Sequence, residues 1–115
     1  MSSTTPSPEQ LDAIFTAFGH AKRRAMITTL SFRPATVSQL AEEHELSLPA
    51  IHKHIRALED AELIQRKKVG RTNFVAINRH SLQEAQAWLM SFNTHWGYDA
   101  ETLENYIANL NRNQK

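Results

Sequence analysis

Apolar residues recur along this chain at helical spacing, interrupted once by an extended run. Leu11, Ile14, Phe15 and Phe18 form a first stripe of 3.6-residue period. It opens on Ser7-Pro8-Glu9-Gln10, a cap followed by a proline at the first helical position, and stops at Gly19. Met26, Ile27 and Leu30 supply the core face of a second helix, and Pro34 stops the connector that follows. Thr36 with Gln39 three residues on reads as a capping box for a short third helix whose apolar face is Leu40 and Ala41. Glu45-Leu46 marks a tight turn. Ser47 then caps a fourth helix, with Pro49 in its first turn, where a missing N–H costs little. Ile51, Ile55 and Leu58 fall at i, i+4 and i+7 and predict one buried stripe over about 48–60. From Ile64 the pattern turns extended, to about residue 77. Gly70 can take the positive φ of a hairpin turn, and Phe74, Val75 and Ile77 favour a strand.

Beyond the hairpin, Ser81 with Glu84 reads as a second capping box. Leu82, Ala85, Leu89, Phe92 and Trp96 then follow at alternating three- and four-residue steps, a heptad seam with Trp88 beside it. Gly97-Tyr98-Asp99 either bends this helix or is run through by it. Leu103, Tyr106, Ile107 and Leu110 make a last stripe. At the other end, residues 1–7 are a Ser/Thr/Pro-rich tract with little to bury and are expected to be disordered, leaving 8–115 as one domain.

A short helix, a brief turn, a longer helix and a hairpin at once after it is the order of a winged helix-turn-helix, a mainly α fold with a small β-hairpin. The face of the fourth helix opposite its buried stripe carries Pro49, Lys53 and Arg56, with Ala50, His52 and Ala57 on its margins. Arg66, Lys67, Lys68 and Arg71 cluster around the hairpin tip. Charge sharpens the picture. The net charge of the 115 residues is only +1, but residues 47–79 hold seven Lys/Arg against three Asp/Glu, while both flanks are net negative. Such a concentration suits a polyanion-binding face. The expected double-stranded-DNA contacts are Ser38, Ser47, Pro49, Ala50, His52, Lys53 and Arg56 on the helices, and Lys67, Lys68 and Arg71 on the wing. Helix residues are expected to meet base edges, and wing residues phosphates. His54, about 60° from the centre of the stripe, reads as a partly buried packing or hydrogen-bonding residue rather than a base reader.

The run SLPAIHKHIRALEDAELI followed by KKVGRTNFVAIN, with LDAIFTAFGHAKRRAMITTL upstream, resembles the ArsR-type winged-helix repressors of bacteria and archaea over residues 11 to 78. Three positions depart from the family pattern. Glu62 stands where the family usually has glycine, at a turn that favours a left-handed residue. Ala21 stands where proline is common, and His52 replaces a common serine. The resemblance implies a homodimeric repressor of a pseudo-palindromic operator, in which the first and last helices pair across a two-fold axis. Leu11, Ile14, Phe15, Phe18, Leu82, Ala85, Leu89, Phe92 and Trp96 are then the expected interface, since both stripes need a cover.

Many members of that family sense metals, but cysteine is absent here and the stretch Val37–Ala41 lacks the thiolate pair. Asn78, His80, His95 and Asp99 do not make a tetrahedral set, so neither metal nor cofactor is expected, and the inducer stays unknown. No nucleophile elbow, Gly-rich phosphate loop or His-Glu metal motif is present, which argues against an enzyme. No apolar run approaches membrane-spanning length and there is no signal-peptide pattern, so the expected location is the cytoplasm. One alternative from another class stays open: a winged helix whose basic face binds an acidic protein partner.

Overall fold

The computed structural model describes residues 6–92 and 102–112. Two helices lead: α1 (Pro8–Phe18) and α2 (Ala21–Leu30). A two-residue strand, β1 (Ala35–Thr36), runs straight into α3 (Val37–Glu43), and α4 (Leu48–Asp60) follows. The hairpin β2 (Ile64–Val69) and β3 (Thr72–Ile77) precedes α5 (Arg79–Met90), and α6 (Leu103–Arg112) lies near the C-terminus.

Side-chain caps set most of the helix starts. Ser7 Oγ accepts from the Gln10 N–H at 3.1 Å, and Ser47 Oγ from the Ala50 N–H at 3.3 Å. Thr36 and Gln39 form the reciprocal capping box expected, at 3.0 and 2.9 Å. His20 caps α2 through Nδ1, which accepts from the Lys22 N–H. Of the N-terminal tract expected to be disordered, Pro6 and Ser7 are described, and Pro6 is buried.

Helix ends α3 and α4 share one device. After α4, Glu62 adopts φ 58° while its N–H bonds to the Glu59 carbonyl and the Leu63 N–H bonds back to Leu58. After α3, Glu45 adopts φ 55°, its N–H meeting Glu42 and the Leu46 N–H meeting Ala41. Both are Schellman closures with glutamate in the left-handed position that glycine usually occupies. Leu58 and Leu63, joined by the α4 closure, are both fully buried, which supplies the apolar contact that holds such a turn.

The sheet has three strands rather than the two of a bare hairpin, in the order β1-β3-β2. β3 pairs antiparallel with both neighbours: Ala35 lies opposite Val75, and Ile64 to Val69 oppose Ile77 to Thr72. Gly70 and Arg71 form a two-residue loop with positive φ at Gly70 only, the II′ pattern that suits strand twist. One contiguous core joins Ile14 and Ala17 of α1, Met26 and Leu30 of α2, Leu40 of α3, Ile51, Ile55 and Leu58 of α4, and Val75 of β3.

Two expectations change. The capping box at Ser81 and Glu84 does not form. The Asn78 N–H is tied to the Leu63 carbonyl at 2.9 Å, so the chain turns early and α5 starts at Arg79. Ser81 is instead buried inside the first turn, accepting from Asn78 Nδ2, and Glu84 lies 3.4 Å from His80. The second change concerns the expected dimer stripes. Ile14 and Ala85 belong to the core of the chain itself, and Phe18 and Leu82 pack partly against it. Trp88 makes edge-on contacts with Phe15 and Phe92, with ring centroids 5.7 and 4.9 Å apart. The two stripes thus cover part of each other within one chain, leaving Phe15, Leu89, Met90 and Phe92 exposed. Trp96, His95 and the Gly97-Tyr98-Asp99 stretch lie outside the described residues.

Candidate nucleic-acid interface

α4 presents two chemically opposite faces because its sequence repeats at helical period. Ile51, Ile55 and Leu58 are fully buried, and His54 is buried beside them. On the other side His52, Lys53 and Arg56 are exposed, Pro49 is exposed, and Ala50 and Ala57 are half-buried. Small residues flanking basic ones let the helix backbone approach a groove closely while long cations reach to either side.

The wing tip comes to the N-terminal part of this helix. A cleft of about 450 Å³ is lined by Ser38 of α3, Leu48 and His52 of α4, and Arg71, Thr72 and Asn73 at the hairpin tip. Three of the residues expected from sequence, Ser38, His52 and Arg71, therefore share one concave surface contributed by three elements. Ser47 sits at the head of α4 with its hydroxyl already engaged as the cap. Leu48, Thr72 and Asn73 escaped the sequence reading. Leu48 was legible as the first residue after the cap, but the packing that brings Thr72 and Asn73 at the hairpin tip beside α3 and α4 has no local signature.

Strand alternation sorts the wing cations. Lys68 lies opposite Asn73, one of the cleft residues, whereas Lys67 lies opposite Phe74 and faces the other way, with Gln65 and Val69. Arg66, counted with the tip from sequence, is committed to a partner of the same chain at the surface. Its Nη2 and Nε donate to the two carboxylate oxygens of Glu59 at 2.8 and 3.1 Å. This two-point clamp fixes β2 against the last turn of α4.

Behind α4 the basic side chains of α2 also have structural roles. Lys22 Nζ donates to the His44 carbonyl at the end of α3, at 2.7 Å, and Arg24 Nη1 donates to the Phe18 carbonyl at the end of α1, at 2.7 Å. Arg24 thus satisfies a helix terminus rather than an acidic neighbour. Thr29 bridges Glu43 and His44, each at 3.0 Å. The rings of His20 and His54 meet edge-on, with centroids 4.5 Å apart. Burial, then the charges of His20, Arg23, Lys53 and Lys22, hold the His54 imidazole below its ordinary range. His54 is therefore a neutral packing group at neutral pH. Among the described residues no three His, Asp or Glu side chains converge in a metal-binding group, and no helix is long and apolar enough to cross a membrane.

Comparison with known proteins agrees with this architecture. The family model for bacterial regulatory proteins of the arsR family matches residues 20–66, which span α2 through the start of the wing. The transcriptional repressor SdpR of Bacillus subtilis (strain 168) is 27% identical over 82 residues, covering 71% of this chain and 91% of SdpR. The crystal structure of an ArsR family transcriptional regulator, RHA00566, superposes with a TM-score of 0.68 at 42% identity, covering 75% of this chain and 89% of that one. The solution structure of the homodimeric winged helix-turn-helix DNA-binding domain of Mb0332 from Mycobacterium bovis shares the fold at 15% identity, with a TM-score of 0.61 and coverage of 72% and 79%. Capped helix-turn-helix, three-stranded wing and sequence kinship together place the chain in the ArsR family of bacterial regulatory proteins.

Proposed function

We propose that this protein is a cytoplasmic, homodimeric transcriptional repressor that binds a pseudo-palindromic DNA operator without catalysing a reaction. α4 enters the major groove, with Lys53, Arg56 and His52 toward base edges. Lys68 and Arg71 hold the phosphate backbone, joined by Ser38 and the head of α4 at Ser47, Pro49 and Ala50. Lys67, on the outer wing face, adds charge to the same region. The observation that carries the reading is the cleft in which Ser38, His52 and Arg71, far apart in sequence, meet beside an exposed basic helix face. A surface built only for solubility has no need to bring three elements to one point.

Dimerisation is proposed through what α1 and α5 leave open: Phe15, Leu89 and Phe92, with Leu11 alongside and Trp96 further along the chain. The Mb0332 domain, which shares the fold, is itself homodimeric. Pairing two protomers sets two α4 helices at a spacing of about one turn of DNA, which matches a palindrome.

The test is selection of duplexes from a random pool by the full chain, followed by affinity measurement on the enriched and random duplexes across salt. Two wing cations per protomer predict a slope of log K against log salt of about −4 for a dimer, at roughly 0.9 per phosphate. An enriched two-fold-symmetric motif is expected. Absence of binding to any duplex at low salt would refute the reading and favour an acidic protein partner for the basic face.

A further inference from the structure

Leu48 is the first residue of α4, directly after the Ser47 cap, and it is 55% exposed. The other large apolar residues of this helix, Ile51, Ile55 and Leu58, are fully buried. By helical period Leu48, three residues before Ile51, lies on the flank of their stripe, about 50° from its centre, yet it is not packed into the core. It lines the cleft with His52, Ser38 and Arg71. Leu48, His52 and Arg56 follow one another at four-residue steps, drifting by about 40° per step along one flank of the helix. An exposed leucine beside the Ser38 and Thr72 hydroxyls, the His52 imidazole and the Arg71 guanidinium, with Val37 as the other apolar lining residue, gains nothing from water, and the intrachain core does not use it.

We infer that Leu48 is a specificity-determining residue that reads the C5-methyl group of a thymine in the major groove. The inference rests on the proposed DNA binding and adds to it the identity of one base. The N-terminal residues of a recognition helix are those that reach base edges. Of the groups that base pairs present in the major groove, the thymine methyl is the one apolar feature, so a leucine side chain has one complementary target there. Arg71, which lines the same cleft, holds the backbone beside it and so seats the first turn of α4 at the depth this contact needs. His52, one turn further on, supplies a polar reader for the neighbouring base pair.

The experiment uses the duplex selected by the full-length protein, with each thymine replaced in turn by deoxyuridine, which lacks only the methyl group. The proteins compared are wild type and Leu48→Ala. Wild type is expected to lose about fourfold in affinity at one thymine of each half-site, the equivalent of the ~0.8 kcal/mol released by burying one methyl-sized group. Replacement in both half-sites should cost about fifteenfold. Leu48→Ala should bind the unmodified duplex more weakly and show no change at that thymine, while its salt slope and its affinity for random DNA match wild type. Those last two readouts show that the variant is folded and seated. A wild type with no methyl-sensitive thymine, or a Leu48→Ala protein with the same sensitivity as wild type, overturns the assignment while leaving DNA binding intact. A protein that binds no duplex at all overturns both.

Discussion

Replacing Glu62 by glycine is expected to stabilise this protein, although it removes a side chain from a helix end. Glu62 is exposed and holds φ at 58°, because the Schellman closure of α4 needs a left-handed residue between Ala61 and Leu63. In that conformation Cβ crowds the following carbonyl, a cost of roughly 1–2 kcal/mol that glycine escapes. Glycine also gives the unfolded chain more freedom, which offsets about 0.4–1 kcal/mol of the gain. Removing a negative charge from the negative end of the helix dipole adds a few tenths, on the order of 0.3 kcal/mol. The net gain is about 1 kcal/mol, or roughly 4 °C in melting temperature for a chain of 115 residues. Urea and thermal unfolding at fixed protomer concentration measure it, since a dimer's melting point depends on concentration. Glu62→Ala is the control, for it removes the charge and keeps Cβ. If Glu62→Gly were no more stable than Glu62→Ala, backbone strain would not be the cause and the reasoning would fail. Glu45→Gly, at the matching position after α3, should gain a similar amount.

The wing cations divide by partner. Arg71→Ala or Lys68→Ala should flatten the salt dependence of DNA binding by about two units for a dimer. Arg66→Ala, whose guanidinium is spent on Glu59, should leave the slope unchanged, and an equal flattening by Arg66→Ala would show that the clamp opens on DNA. Low pH should destabilise the fold through His54. Its folded pKa lies below the ordinary value of 6.5, so the unfolded chain takes up a proton that the folded chain declines. Stability is therefore complete above about pH 6.5 and falls as pH drops from there toward the folded pKa. Urea titrations of wild type and His54→Gln at pH 7.5 and 5.5 should show a smaller pH effect in the variant, and an equal effect in both would remove His54 from the account. Leu89→Glu, which adds a charge to an exposed apolar site, should cost several kcal/mol if that site is covered by a second protomer. Sedimentation is expected to show a dimeric wild type and a monomeric variant with weakened operator binding; a monomeric wild type at micromolar concentration would refute the interface.

What the sequence determined on its own is what short-range physics controls. The caps at Ser7, Thr36 and Ser47 depend on residues three apart. The stripe on α4 depends on helical period, and the hairpin depends on one glycine between two runs. The left-handed turn at Glu62 was visible as an unsuitable residue in a position that a known pattern marks. Tertiary structure decided everything that required knowing which surface meets which. A stripe announces that it must be buried but does not name its cover, so Ile14 and Ala85 went to the intrachain core instead of an interface. A basic residue announces charge but not its partner, so Arg66 closed on Glu59 and Lys22 on the end of α3. β1 is too short to be written in its own sequence, being a strand only because β3 lies beside it. The cleft that joins Ser38, Leu48, His52 and Arg71 exists only once the hairpin tip is packed beside α3 and α4, because its lining comes from three elements separated along the chain.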